Sequence, residues 1–392
     1  MKYWRGYLVA AAIALMSWGL AEFAAAHGAL VDMIYPYASR LIQDFLAEWS
    51  AGVSFCLWQL LAVVLVVMAI ASIVVMIILR WKFVQWLGWV LACVSMVWFL
   101  HTGLYGLNQY SSPLSEDIRL SVDADLTTTD LINATTYFRD KANEYALKVP
   151  RDASGRLKAP DFDETAELAA DGFHNLVYKD NFAVFAGVTT PVKQLGWADL
   201  YTSMGISGVT MPITGEAAVN PQTPATALPF TICHEMAHRM CIAPERDANL
   251  AAFLATTANS DSIYQYSGYF MAFRYCYNAL VSVSTSTADA AAKQILSGVN
   301  SKLKGDLDHY KQYYASVQKP AATKVATTVN DAYIQASGDE SGVRSYGEVA
   351  DLLLCWYLQE IYLPAHADDP QEDAFDPFDK GNLIVPQPTG GA

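Results

Sequence analysis

Two uncharged apolar runs, only three residues apart, constrain this chain more than any other feature. Cys56 to Leu79 reads CLWQLLAVVLVVMAIASIVVMIIL, with Gln59 its one strongly polar residue, and a second run extends from Phe83 to about Leu104 after Arg80-Trp81-Lys82. A helix crosses a bilayer with about 20 apolar residues, and two such runs rarely occur in a water-soluble core. They predict a membrane hairpin, and they account for a composition of 53% hydrophobic and 16% charged residues. Upstream, Lys2 and Arg5 precede an apolar run from Tyr7 to Leu20, followed by Glu22 and small residues at Ala24, Ala25 and Ala26. This segment reads as a first spanning helix over about 7–25, the reading adopted, or as a signal peptide, whose apolar part is about 7–15 residues long.

The basic residues orient these spans. Lys2 and Arg5 hold the N-terminus in the cytoplasm, and Arg80 with Lys82 hold the tight hairpin there. The stretch from about 26 to 52 and everything after Leu104 then lie outside. Charge divides the chain at the same place. Residues 1–105 carry five Lys or Arg and four Asp or Glu, leaving 20 basic and 35 acidic residues, net −15, for the remainder. Such an acidic outer part disfavours nucleic acid, so no nucleic-acid partner is expected, and it disfavours adhesion to anionic lipid.

Three regions follow: a membrane domain over 1–105, an outer domain over 106–363, and an acidic, Pro- and Gly-rich tail over 364–392. Val31 to Trp49 has helical spacing, and could lie along the membrane surface or pack on the outer domain. Within the outer domain, helical periodicity covers Thr129–Leu147 and Asp163–Tyr178. It resumes over Arg246–Thr257, Ser262–Val283, Thr287–Gly298, Lys304–Ala315, Ala321–Ala336 and Tyr346–Ile361. Thr202 to Asn220, rich in Gly, Thr and Val, reads as one or two short strands or an extended loop. The fold class expected is mainly α, with spanning helices followed by a helical domain that has a small β element.

The chemistry centres on LPFTICHEMAHRMCIAPERDANLAAFLA, Leu228 to Ala255. Residues four apart share a helix face, so His234 and His238 can offer imidazoles to one metal ion. Glu235 can then act as general base on a water acidified by Zn²⁺. Leu228-Pro229 opens the helix, and no breaker follows before Pro244. A catalytic zinc site needs a third protein ligand. Glu245 is favoured, with Asp247 and Cys241 as competitors, and Asn249 one turn beyond Glu245 is placed to orient a neighbouring ligand.

Four blocks of the chain carry a resemblance: WFLHTGLYGLNQYSSPL, the stretch from Gly205 to Ala255, YQYSGYFMAFRYCYNAL and SYGEVADLLLCWYL. In this order they resemble an uncharacterised bacterial membrane-protein family, known only as a domain of unknown function, with an extracytoplasmic zinc motif. Its members are similar to gluzincin-type metallopeptidases, in which the third ligand is the first Glu of a Glu-x-x-x-Asp or Glu-x-x-x-Asn helix. The resemblance implies a zincin-like domain, Glu245 as ligand and Asn249 beside it. This chain departs from the pattern at Cys241, where Gly is expected, and at Arg246-Asp247, where Asp-Glu is usual.

The remaining candidates carry weaker signals. GISGVTMP, from Gly205, reads as an edge strand able to pair with an extended peptide, or as an ordinary strand. Tyr346 is the candidate transition-state helper, with Arg344, Tyr266 and Tyr269 as alternatives. Glu216 either lines the cleft or accepts hydrogen bonds in a turn. His174, His309 and His366 have no partner spacing. Cys56 and Cys93 fall within spans; Cys233, Cys241, Cys276 and Cys355 read as free buried thiols, with a Cys276–Cys355 bridge as the alternative. The function expected is a multi-pass plasma-membrane zinc metallopeptidase acting on a peptide or protein substrate outside the cell. A catalytically inactive receptor or scaffold, and a zinc amidase acting on the cell envelope, are the rivals.

Overall fold

The computed structural model describes residues 4–122, 125–187, 189–320, 323–324, 327–328 and 345–366. Four long helices open the chain: α1 (Arg5–Ala26), α2 (Gly28–Ala51), α3 (Leu57–Ile78) and α4 (Phe83–Leu104). Of these, α1, α3 and α4 are long and apolar enough to cross a membrane, and they associate the chain with one. In α3 the apolar side chains are turned outward, and none of its most hydropathic window is buried. Water would penalise that surface heavily; lipid does not. Packing between α1 and α4 depends on two glycines. A Cβ at Gly6 would fall 2.5 Å from the Gly88 carbonyl carbon, so the backbones touch where they cross, as small residues allow between membrane helices.

A 3-10 turn over Gly106–Tyr110 leads from α4 into the second part of the chain. There follow α5 (Leu114–Asp117), α6 (Thr128–Ala146), α7 (Phe162–Tyr178), β1 (Lys193–Gln194) and α8 (Ala198–Met204). Next come β2 (Gly208–Met211), β3 (Glu216–Val219), α9 (Leu228–Arg239) and α10 (Glu245–Ala258). After these come α11 (Ser262–Ser282), α12 (Ser286–Ser297), α13 (Ser301–Val317) and α14 (Ser345–Tyr357), which a π turn continues to Tyr362 and a last helical turn to Ala365. Side chains cap these helices where the sequence changes: Thr127 and Asp130 form a reciprocal capping box on α6, and Asp161 and Asp261 cap α7 and α11. The chain is thus mainly helical with one small sheet.

Strand order in that sheet is β1-β3-β2, so β2 is an edge. It pairs antiparallel with β3 from Gly208↔Val219 to Met211↔Glu216, while β1 runs parallel to β3. Of the three, β1 has only two residues and precedes the Thr202–Asn220 stretch, which is too little to leave a periodic signal.

The core is built around α9 and α10. Every residue of α10 from Asp247 to Thr256 is buried, because small residues let neighbouring helices close on it. A Cβ at Gly172 of α7 would lie 2.1 Å from the Ala255 carbonyl oxygen, and one at Gly268 of α11 would lie 2.4 Å from Thr256 Oγ1. Such interlocking leaves α9 and α10 little freedom to shift.

The first part of the chain is fastened to this core. Glu216 of β3 is 2% exposed, and its two carboxylate oxygens accept from the backbone N–H groups of Leu57 and Trp58, each at 2.8 Å. Lys193 Nζ completes the group at 2.6 Å. Glu216 therefore neither lines a cleft nor closes a local turn; it caps the N-terminus of α3 with a full charge. Cys56, at the start of α3, is buried and donates to the Gln194 carbonyl, whereas Cys93 is exposed on α4. All six cysteines are free, so no Cys276–Cys355 bridge forms. Burial pushes the thiols of Cys233 and Cys276 up, and those of Cys241 and Cys355 up to about 11. The helix expected over Ala321–Ala336 lies largely outside the described residues. Arg344 and the tail beyond His366 lie wholly outside them.

Candidate metal centre

Helix α9 carries the His-Glu-x-x-His spacing. Pro229 occupies its first turn, where the missing N–H costs nothing, and the Phe230 N–H finds Ser267 Oγ of α11 at 3.1 Å. Four residues apart, His234 and His238 turn their Nε2 atoms toward each other at 3.1 Å. Glu245, the first residue of α10, faces both: Oε2 is 3.3 Å from His234 Nε2, and Oε1 is 3.6 Å from His238 Nε2. Among the described residues these three form the group that could hold a metal ion, one donor from each lying within 4.8 Å of the others. Donors on a tetrahedral zinc ion, each about 2.0–2.1 Å from it, stand about 3.3 Å apart. The observed spacings bracket that value, and two imidazoles with one carboxylate are a donor set suited to zinc.

The reversal between α9 and α10 makes this convergence geometrically available. Cys241 N–H bonds to the His238 carbonyl at 2.9 Å and Ile242 N–H to the Ala237 carbonyl at 3.1 Å. This is a Schellman turn, which needs a left-handed residue, usually Gly, at the Cys241 position. Cys241 adopts it, with φ +69°. The turn aims the Ile242 carbonyl at His238, whose Nδ1–H donates to it at 2.9 Å, leaving Nε2 to face the site. Tyr105 adds its hydroxyl 3.4 Å from the same Nδ1. His234 Nδ1 is buried without a hydrogen-bond partner among the described residues.

Helix α2 supports the turn from the other side. Ser39 Oγ lies 3.3 Å from Cys241 Sγ, and Arg40 Nε donates to the Met240 carbonyl at 3.3 Å. Gln43 donates to the Pro212 carbonyl at 3.1 Å, in the turn between β2 and β3. Arg239, 3% exposed at the end of α9, donates to the Thr190 carbonyl at 2.5 Å. Burial pulls its pKa down to about 10, against the opposing charge of Asp44 on α2.

Electrostatically the trio behaves as a trap for positive charge. Burial pulls the His238 imidazole down, but the carboxylate of Glu245 outweighs it and the pKa rises to about 9. Burial pushes the Glu245 carboxyl up, yet the two imidazoles hold it well below the usual range. A proton or a metal cation at the centre satisfies the same demand.

Glu235 sits beside the trio and takes no part in it. Its Oε2 accepts from Thr210 Oγ1 at 2.8 Å, and the same hydroxyl lies 3.0 Å from the Glu235 carbonyl. Burial pushes its carboxyl up, while His234, His238 and Thr210 draw it down; the net is upward. Gly208 shares the strand face of Thr210, and a Cβ there would stand 2.3 Å from Glu235 Oε1. The edge strand β2 thus presses its backbone against this carboxylate.

The other candidates are accounted for individually. Asp247 is turned away from the histidines, and its Oδ2 accepts from Leu114 N–H at 3.1 Å. Cys241 Sγ faces Ser39. Asn249 donates to the Glu245 backbone carbonyl at 2.8 Å and accepts from the Tyr275 hydroxyl at 3.0 Å, so it braces the start of α10 rather than a ligand side chain. Tyr346 stands in the first turn of α14, and its side chain lies outside what is described. That turn is held beside the site's helix by Glu348, 3.7 Å from Arg246. Tyr266 hydrogen-bonds to Asp306 and Tyr269 stacks on Tyr145, so neither is at the centre. His174 approaches Thr189, His309 approaches Arg156, and His366 stacks on Tyr362. The residues that sequence reasoning missed are Tyr105, Thr210 and Gly208. Only alternation along β2 hinted at the last two.

A family model matches residues 31–354, from α2 into α14, and its description is a protein of unknown function. No curated protein matches the chain, and no solved structure does.

Proposed function

The chain belongs to the DUF3810 family of proteins of unknown function, and we propose that it is a membrane-anchored, zinc-dependent metallopeptidase. The observation that carries this reading is the convergence of His234, His238 and Glu245 beside a buried carboxylate, Glu235, that is not one of the donors. Glu245 with Asn249 one turn later is also the Glu-x-x-x-Asn arrangement of the gluzincin-type peptidases that the sequence resembles.

In this reading His234 and His238 hold Zn²⁺ through Nε2 and Glu245 holds it through its carboxylate. When bound, zinc polarises a substrate carbonyl and lowers the pKa of water to about 7. Glu235 takes a proton from the attacking water at a carboxylate oxygen and passes it to the departing amine. Burial suits it to that exchange by bringing its pKa up from the ordinary carboxylate range. Thr210 and Gly208 fix the carboxylate in place. As the free edge of the sheet, β2 can pair with an extended peptide next to Glu235. Tyr346, in the first turn of α14, is the proposed donor to the tetrahedral oxyanion.

The basic residues around the spans support a multi-pass protein of the bacterial plasma membrane with this site outside the cytoplasm. Substitution Glu235→Gln in the full-length protein tests the catalytic assignment. It should retain zinc and lose peptide hydrolysis by about a thousandfold or more. A Glu235→Gln protein that keeps its function in the cell would point to a zinc-bearing scaffold instead.

A further inference from the structure

We infer that α2 lies in the plane of the membrane's outer surface with one face in lipid. Resting on the peptidase reading above, we also infer that the substrate is an extended segment close to its own membrane anchor. The connections of α2 settle its attitude. His27 alone separates it from α1, and five residues separate it from α3. Each of those helices is long enough to span a membrane. The outer ends of two spans lie at one level, so a helix of 24 residues joining them, with Pro36 inside it, runs along that level. At 1.5 Å per residue it covers about 36 Å of surface.

Its side chains divide accordingly. Val31, Ser39, Gln43, Ala47 and Ser50 are buried against the rest of the chain. On the opposite face Met33, Tyr37, Leu41 and Phe45, a row at intervals of four, are 63–72% exposed, and Leu30 and Ile34 flank them. The charged groups of the middle of the helix face the domain: Arg40 donates to Met240, and Asp44 acts on Arg239. Trp49, 63% exposed, continues the row into the last turn, with the exposed Glu48 beside it. Exposed apolar area of this extent, continuous with two spanning helices, matches an interfacial helix.

The buried face of α2 meets the end of α9 at Cys241 and the β2–β3 turn at Pro212. A Cβ at Gly215 in that turn would stand 2.6 Å from the Ala47 backbone nitrogen, so helix and turn are in contact. The metal centre is therefore held about one helix thickness, ~10 Å, above the lipid. β2 lies along that surface: Pro212, after its Met211 end, accepts from Gln43 of α2, and Val209, next to its Gly208 end, packs with Cys56 and Trp58 at the start of α3. A chain leaving the bilayer and running along β2 reaches Glu235 after about three to six extended residues, at 3.3 Å each. A soluble peptide lacks that tether.

Spin labels test the first part without any substrate. Full-length protein carrying Cys93→Ser, with single cysteines replacing Tyr37, Leu41 or Tyr178, is reconstituted in phosphatidylcholine vesicles. Labels at 37 and 41 should be accessible to oxygen and shielded from a water-soluble nickel chelate, with the reverse at Tyr178, which is 83% exposed on the outer domain. Nickel access at 37 and 41, or shielding from both reagents as under a second protein, overturns the lipid assignment. For the second part, randomised twelve-residue segments are offered free, and fused to a spanning helix in the same vesicles. Anchored segments should be cut near the anchor at least about tenfold faster. Free segments cut equally fast overturn the substrate class but leave the peptidase standing. No cleavage of either removes the peptidase and the substrate class together, while the label depths still stand.

Discussion

The hydroxyl of Tyr105 stands 3.4 Å from Nδ1 of His238. Tyr105 is the first residue past α4, so the end of a helix long and apolar enough to cross a membrane and a candidate zinc ligand are in direct touch. Second contacts of this kind hold a ligating imidazole in one orientation, and losing them costs about 10–100-fold in metal affinity. The Ile242 carbonyl remains on the same nitrogen at 2.9 Å. Tyr105→Phe should therefore weaken zinc binding by about tenfold, at the low end of that range. Chelator competition on the full-length protein measures it, and an unchanged affinity would mean that Tyr105 only packs.

Cys241 occupies a left-handed position with φ +69°. Glycine relieves the backbone cost of about 1 kcal/mol but forfeits the contact with Ser39. Cys241→Gly should leave the melting temperature near that of the wild type. Cys241→Val, β-branched at positive φ, should destabilise by about 1–3 kcal/mol and loosen zinc binding through the Ile242 carbonyl. Thermal unfolding in detergent separates the two.

Gly208 leaves no room for a side chain against Glu235. Gly208→Ala should displace the carboxylate and lower hydrolysis by about a hundredfold, the scale of a 1 Å error in placement. Zinc content should stay at the wild-type level, because the donors are untouched. Zinc lost together with activity would mean that the strand supports the donors and not the base.

Glu216 joins β3 to the start of α3 through Leu57, Trp58 and Lys193. Glu216→Ala leaves two N–H groups without an acceptor and takes the counter-charge from Lys193, which keeps the Ser50 and Phe55 carbonyls, a change of about 3 kcal/mol. The melting temperature should fall markedly, and the fall should be much smaller for Glu216→Gln, which keeps one acceptor.

What was legible in the chain followed from local periodicity. The apolar runs became α3 and α4, the histidine spacing put His234 and His238 on one helix face, and Pro244 marked where Glu245 begins the next helix. Long-range pairings were not legible. Glu216 meets Leu57 across 159 residues of sequence, and Tyr105 meets His238 across 133. Neither leaves a mark in spacing. The departure at Cys241 was visible against the family pattern, but its contact with Ser39 of α2 belongs to tertiary structure. The two faces of α2 were both implied by its spacing, and only the docked domain distinguishes which is covered.

The central claim is a zinc ion held by His234, His238 and Glu245. Its most direct test is the metal content of the purified full-length protein beside Glu245→Ala and Asp247→Ala. The account predicts about one zinc per chain in the wild type and in Asp247→Ala, and little or none in Glu245→Ala. A wild-type protein that stays free of zinc after supplementation, or that loses it through Asp247 rather than Glu245, would contradict the account.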